Sequence, residues 1–291
     1  MVDLLVERET FGHGGNQEVV RPFAAAGDVE LLLVTPQMQS FEAGKKAEAG
    51  EVPLSEEDVP HWDDDFPFWQ STTVELEGRT VSFRRIVMPM VENDEDMANW
   101  LDSVAVDAVV CSGSRRNVSM WENWMAPTAS LVRASANAGR PTLGICFGHQ
   151  LLCHALGATI ERADSLSSGI WDLDFTEIGV DDELLTSHVS DDSCVAGLFT
   201  HQDHVMSVPE SCSLLCSTSH NEVTAVRVLS EDGEPLPSWG IQFHPEAARA
   251  RIQRAHEWGH ISDEELASFK GEHDGANILS SFATVVGRYQ A

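Results

Sequence analysis

Apolar and polar positions alternate along the chain in blocks that predict strands and helices in turn. An aliphatic run over residues 30–35, stopped by Pro36, predicts a first buried strand. Residues 74–76 and 79–87 flank Glu77-Gly78, a hairpin signal. Asn93 can cap a helix that carries Asp94, Glu95 and Asp96 in its first turn and Met97, Trp100, Leu101 and Val104 at helical spacing. Residues 107–111 read as a buried strand ending at Ser112-Gly113-Ser114, and a helix over 127–138, stopped by Gly139 and Pro141, leads into the next strand at 142–145. This alternation predicts an α/β domain: a mostly parallel sheet with helices on both faces, its reactive groups at the carboxyl ends of strands.

Past Gly157 the blocks shorten, with strands predicted near 171–178, 223–229 and 239–243. From Ala247 the tail reads as helical: Ser262 and Glu265 form a capping-box pattern, and Ile278, Phe282 and Val285 give an apolar face. Residues 1–29 form an N-terminal extension without an assigned structure. Leu4, Leu5, Val19, Val20 and Phe23 suit short helices there, but Gly12, Gly14 and Gly15 interrupt them. Residues 42–69 are rich in Glu, Asp, Gly and Pro and carry Trp62, Phe66, Phe68 and Trp69, as expected of an acidic surface insertion anchored by its aromatics. The expected organisation is one domain over 30–246 containing that insertion, with helices of 247–291 packed on the same domain.

Composition narrows the function. The chain has 291 residues, 42% of them apolar, enough to fill the core of one large domain. Forty-seven acidic residues against 18 basic ones give a formal net charge of −29, a field that repels phosphate backbones and anionic bilayers and excludes nucleic acid and membrane surfaces as partners. No apolar run approaches the ~20 residues of a membrane span, and Asp3 and Glu7 stand where a secretory leader would be basic and then apolar, so a cytoplasmic protein is expected. The only lysines are Lys45, Lys46 and Lys270. This balance resembles the proteins of salt-accumulating halophiles, in which a Debye length of ~3 Å at molar salt quiets carboxylate repulsion. Cys111, Cys146, Cys153, Cys194, Cys212 and Cys216 include no C-x-x-C pair and are expected to be free thiols in a reducing compartment.

Candidate chemistry concentrates in Pro141-Thr-Leu-Gly144-Ile-Cys146-Phe-Gly148-His149-Gln150. An apolar strand ends at Cys146, Gly148 permits a tight turn, and Leu151, Leu152, Ala155 and Leu156 mark a helix closed by Gly157. This is the cysteine form of a nucleophile elbow, in which small flanking residues allow a sharp strand-to-helix turn that projects the side chain. Such a nucleophile needs a base, and the base needs a group that fixes its tautomer. Trp239-Gly-Ile-Gln-Phe-His244-Pro-Glu246 supplies a strand ending in His-x-Glu, whose two polar residues share one edge of an extended segment. A rival pattern, His256-Glu-Trp-Gly-His260, matches the H-E-x-x-H of zinc proteases. Gly259 weakens the required helix by ~1 kcal/mol, and the acids that follow begin another helix, so no metal is expected.

Together these segments resemble the class I glutamine amidotransferases, most of all the glutaminase domain of GMP synthase. Asp107-Ala-Val-Val-Cys-Ser-Gly113-Ser114 is similar to the family's oxyanion strand. His201-Gln-Asp203-His-Val-Met-Ser-Val-Pro209 resembles its Ser-His-x-Asp-x-Val-x-x-Leu-Pro segment, with His201 and Gln202 read at the serine and histidine positions. The resemblance implies a flavodoxin-like fold with Cys146 as nucleophile, His244 as base and Glu246 as orienting carboxylate. Gly113 and Phe147 would supply oxyanion-hole N–H groups. Gln150, Ser114, Arg115, His201 and Asp203 would bind the substrate, glutamine or a γ-glutamyl compound. Where many relatives have two glycines and a proline after the oxyanion strand, this chain has Gly113-Ser114-Arg115-Arg116-Asn117, which leaves the second oxyanion donor open.

The implied reaction is amide hydrolysis through a γ-glutamyl thioester, without a cofactor, with ammonia passing to a synthetase partner. This chain has no Gly-x-x-x-x-Gly-Lys-Ser/Thr loop of its own. A γ-glutamyl peptide or amine hydrolase with the same triad and a non-catalytic regulatory module are the alternatives; homo-oligomerisation is left open.

Overall fold

A computed structural model describes residues 1–2, 15–37, 39, 72–187, 194–257, 259 and 261–289. The acidic insertion expected at 42–69 lies outside the described residues. The chain begins with Met1 and Val2 lodged between two sheets. Val2 bridges Val34 and Cys111, both in parallel, and its N–H donates to the Val110 carbonyl at 2.7 Å. Helix α1 (Gly15–Ala26) follows, then β1 (Val29–Leu33). Strands β2 (Thr72–Leu76) and β3 (Arg79–Arg85) form the expected hairpin, turning through Glu77 and Gly78, both at positive φ. Helix α2 (Asp94–Ser103) begins where Asn93 accepts from the N–H groups of Glu95 and Asp96. Next come β4 (Val109–Cys111), α3 (Met125–Asn137), β5 (Thr142–Ile145) and α4 (Phe147–Ala155).

The second half is richer in strands: β6 (Ile160–Asp172), β7 (Asp174–Phe175), β8 (Ala196–Val205), β9 (Cys212–Thr218), β10 (Asn221–Leu229) and β11 (Pro235–Ile241). The strand expected near 171–178 is thus the end of a longer β6 and the short β7, followed by a 3-10 turn at Gly179–Asp181. Strands β6 and β8 make a two-stranded antiparallel ribbon, while the main sheet runs β4-β5-β11-β10-β9-β7. Helices α5 (Arg249–Glu257), α6 (Asp263–Ser268) and α7 (Gly275–Tyr289) close the chain, and the Ser262–Glu265 capping box is formed.

Val2 joins the two sheets, so a parallel block runs through β3, β1, Val2, β4, β5 and β11, edged by antiparallel β2 on one side and β10, β9 and β7 on the other. Alternation along each strand sends side chains to two layers. Val109 and Cys111 pack with α2, α3 and α4, whereas Val110, Leu143 and Ile145 pack with α1 and α7. Phe282 of α7 is wholly buried in that second layer, worth about 1.5–3 kcal/mol relative to an exposed ring. Among the described residues no helix is long and apolar enough to cross a membrane.

Candidate active site

The parallel strands β4, β5 and β11 end side by side, with Gly144 level with both Cys111 and Gly240, so the segments that leave them meet at one edge. β4 delivers Gly113, β5 delivers Cys146, and β11 runs through Gln242 and Phe243 to His244. Cys146 adopts φ +50° and ψ −102°, a setting that costs a residue with a Cβ of order 1–3 kcal/mol. Its N–H donates to the Ile241 carbonyl at 2.8 Å, and its own carbonyl accepts from the Gln150 N–H at 3.0 Å, so β11 and α4 hold the bend. Space comes from two glycines: a Cβ on Gly148 would fall 2.2 Å from the Cys111 carbonyl oxygen, and one on Gly144 would fall 2.5 Å from that of Gly148. The first turn of α4 therefore rests directly on strand backbone.

Cys146 is 6% exposed, its Sγ 3.9 Å from the Thr200 carbonyl. The His244 N–H donates to Leu198 at 2.7 Å, and its Nδ1 donates to Oε1 of the buried Glu246 at 2.8 Å. That bond leaves Nε2 as the ring nitrogen not engaged by Glu246; it is buried and has no hydrogen-bond partner among the described residues. A Cβ on Gly113 would lie 2.8 Å from His244 Cε1 and 3.7 Å from Cys146 Cβ, so thiol, imidazole and Gly113 enclose one small space. Burial opposes charge on His244, but the charges of Glu246 and Cys146 prevail and hold it up at about 10. The N–H groups of Gly113 and Phe147 have no hydrogen-bond partner among the described residues, as expected for Phe147 at the first position of a helix.

The residues read as substrate contacts fall into two groups. Gln150 is buried one turn along α4, and its Nε2 donates to the Asp203 carbonyl at 2.9 Å and to Gln242 Oε1 at 3.1 Å, which leaves only Oε1 for a ligand. His201 Nδ1 donates to the same Asp203 carbonyl at 3.0 Å. Burial, and behind it crowding by His204, His220 and His244, pushes His201 down to about 3, so it is neutral. Both oxygens of Asp203 accept from Ser119, from its N–H at 2.8 Å and its Oγ at 2.7 Å, which pins the segment after Gly113 to β8. Ser114 and Arg115 lie on that segment. Ser114 Oγ accepts from the Arg116 N–H at 3.0 Å, whereas Arg115 is exposed and has no ion pair among the described residues.

One reading of the motif is corrected. Counted back from Asp203 and Val205, which face inward with Phe199 and His201 along β8, the pattern's histidine falls on His201 and its serine on Thr200. Gln202 therefore occupies the variable position. Sequence reading missed Gln242, Thr200 and Ser119. Only Gln242 carried a signal, as a lone amide between Ile241 and Phe243. His149, within the nucleophile motif, is wholly buried with Nε2 donating to the Val223 carbonyl at 3.1 Å, and burial pushes it down to about 4. Of the H-E-x-x-H pattern, His256 pairs with Asp263 at 2.7 Å and His260 lies outside the described residues. No group of three His, Cys, Asp or Glu side chains among the described residues could hold a metal ion.

The model of the family "Glutamine amidotransferase class-I" matches residues 72–255. A glutamine-hydrolysing GMP synthase subunit of Methanocaldococcus jannaschii is 33% identical over 114 residues, 38% of this chain and 54% of that protein. Gamma-glutamyl peptidase 3 of Arabidopsis thaliana is 30% identical over 173 residues, 58% of this chain and 64% of that protein. The chain thus spans between half and two thirds of the length of these relatives. A glutamine amidotransferase of Thermotoga maritima superposes with a TM-score of 0.53 at 15% identity, covering 89% of this chain and 97% of that one, and shares the fold. Because the family model matches well over half the residues, the chain belongs to the class I glutamine amidotransferases.

Proposed function

We propose that the protein hydrolyses the side-chain amide of glutamine through a Cys146-His244-Glu246 triad and passes the ammonia to an acceptor enzyme. The observation that carries this reading is the shared space of Cys146, His244 and Gly113, with His244 oriented by Glu246. In the first step the Cys146 thiolate attacks the carboxamide carbon, forming a C–S bond and an oxyanion. The N–H groups of Gly113 and Phe147 receive that oxyanion, each worth about 3 kcal/mol in a preorganised site. The C–N bond then breaks as imidazolium at His244 gives its Nε2 proton to the departing ammonia. Water, losing a proton to the now neutral His244, attacks the thioester, and the C–S bond breaks to release glutamate and restore the starting site.

Glu246 keeps the Nδ1 proton of His244 in place and offsets its charge. Arg115, charged and unpaired among the described residues, is suited to the α-carboxylate of glutamine. Gln150, His201 and Asp203 act mainly as the frame between α4, β8 and β11, with Gln150 Oε1 turned to the substrate and Ser114 shaping the segment that carries Arg115. The likeness to the glutamine-hydrolysing part of a GMP synthase supports a separate synthetase chain as the acceptor of ammonia.

A second reading is favoured by the longer match to a gamma-glutamyl peptidase: the same acyl chemistry with an amine or peptide as leaving group. Initial rates of ammonia release from glutamine and of amine release from γ-glutamyl dipeptides separate the two. The proposal expects the larger kcat/KM for glutamine. A γ-glutamyl dipeptide preferred by tenfold or more would replace it with the peptidase reading.

A further inference from the structure

A cavity of about 790 Å³ lies beside the loop that carries His244 and Glu246, lined by Pro245 and not by Cys146, within the size range of small-molecule sites. Its apolar floor includes Leu198, Ile252, Phe269 and Leu279, and Pro245, between His244 and Glu246, forms part of its wall. Residues beyond the family-matched span hold that wall in place. His273 Nε2 donates to the Ala247 carbonyl at 3.1 Å, and a Cβ on Gly275 would fall 2.2 Å from the Pro245 carbonyl oxygen. Asp274 accepts from the Ala196 N–H at 2.8 Å, anchoring the same segment to β8. The chain just ahead of α7 therefore grips the loop that carries Glu246.

Charge supplies an independent observation. With 47 acidic residues against 18 basic ones, most arginines of the described residues are paired with a carboxylate, Arg115, Arg162 and Arg249 excepted. On this cavity Arg21 bridges Glu18 at 3.1 Å and Glu77 at 2.8 Å, and elsewhere Arg133, Arg140, Arg227 and Arg288 are also paired. Arg249 and Lys270 also line it, yet neither side chain makes an ion pair or hydrogen bond among the described residues. With Glu18 and Glu77 taken by Arg21, the carboxylate left among the lining residues is that of Glu272, against the two cations. A ligand that satisfies them is anionic at one end and apolar over the rest.

We propose that this cavity is a binding site for an organic anion with an apolar body, and that its occupancy restrains the triad loop through Pro245 and His273. The site stands whichever γ-glutamyl compound reacts at Cys146. The test uses the full chain at fixed ionic strength, titrated with 8-anilinonaphthalene-1-sulfonate and with uncharged N-phenyl-1-naphthylamine. Saturable binding of one equivalent of the sulfonate is expected, at least tenfold tighter than the uncharged probe and at least tenfold weaker in Arg249→Glu and in Lys270→Glu. Lys270→Met, which keeps most of the side-chain stem, should weaken the sulfonate but not the uncharged probe. Saturating sulfonate should also change the rate of Cys146 alkylation by iodoacetamide, read on the Cys146 peptide by mass spectrometry, at least threefold in the native chain and not in the charge reversals. Absence of saturable binding, affinities unmoved by both charge reversals, or alkylation unchanged at saturation would each overturn the proposal.

Discussion

Two buried carboxylates near β11 belong to clusters of opposite kinds. Asp182, packed beside Trp239, is fully satisfied. One oxygen accepts from the N–H groups of Leu184 and Leu185, the other from Trp239 Nε1 at 3.1 Å and Arg227 at 3.3 Å. Arg227 in turn bonds Glu183 and the Leu236 carbonyl and lies 4.6 Å over the Trp239 ring. Past the end of the same strand, Glu246 orients a histidine whose Nε2 is left open, and His201 Nε2 and Gln242 Nε2 nearby are likewise buried without partners among the described residues. A cluster that closes on itself contributes stability, whereas one left open is poised for a ligand. Removing a member of the first should lower stability and spare the activity of the folded molecule; removing a member of the second should lower activity even in the folded molecule.

The largest effect expected from this contrast is at the open end. Glu246→Gln keeps the shape of the site but lets Nδ1 of His244 lose its fixed proton, and kcat for glutamine should fall roughly 10²- to 10⁴-fold, a loss far larger than any change in the folded fraction accounts for. Steady-state kinetics beside thermal denaturation check it; full activity in Glu246→Gln would remove Glu246 from the triad. At the closed end, Asp182→Ala strands Arg227 and the Trp239 N–H in the core and should cost about 3–5 kcal/mol by urea denaturation, with kcat per folded molecule unchanged. Equal losses of stability from the two variants would erase the distinction.

The smallest effect is the dependence on pH. His149 and His201, held down near 4 and 3, stay neutral in the fold while the unfolded chain takes up their protons below about 6.5. Their contribution is therefore whole above pH 6.5 and is lost progressively as the pH falls toward those values. His244, held up near 10, behaves in the opposite sense: its contribution is whole below about 6.5 and is lost as the pH rises toward 10. Denaturation midpoints should thus decline on both sides of neutrality, and His244→Gln should flatten the alkaline limb alone.

These contrasts also explain what could be read without coordinates. The elbow was legible because Gly144, Cys146 and Gly148 are spaced for one local turn, and the His244-Pro-Glu246 terminus because its geometry is set within three residues. Helix α2 was legible from Asn93 and the acids behind it, and α7 from its apolar face. The ribbon of β6 and β8 was not, since β6 is largely intermediate or exposed along its length and shows no alternation of period two. Helix α1 was obscured by Gly12, Gly14 and Gly15, the last of them its first residue, although Val19, Val20 and Ala24 are buried at helical spacing. The insertion of Val2 between β1 and β4 is a two-residue contact, too short for any periodicity. The resemblance implies a substrate role for Gln150, and what no sequence pattern shows is that its amide nitrogen is engaged by Asp203 and Gln242, groups brought near only by the tertiary fold.

The claim that Cys146 is a nucleophile served by His244 is tested most directly by a glutamine-mimicking electrophile, with the product located by peptide mass spectrometry. The account expects one adduct per chain, on the Cys146 peptide, prevented by excess glutamine, absent from Cys146→Ser and retained in Asp182→Ala. An adduct on another cysteine, or none at all in the folded native chain, would contradict it.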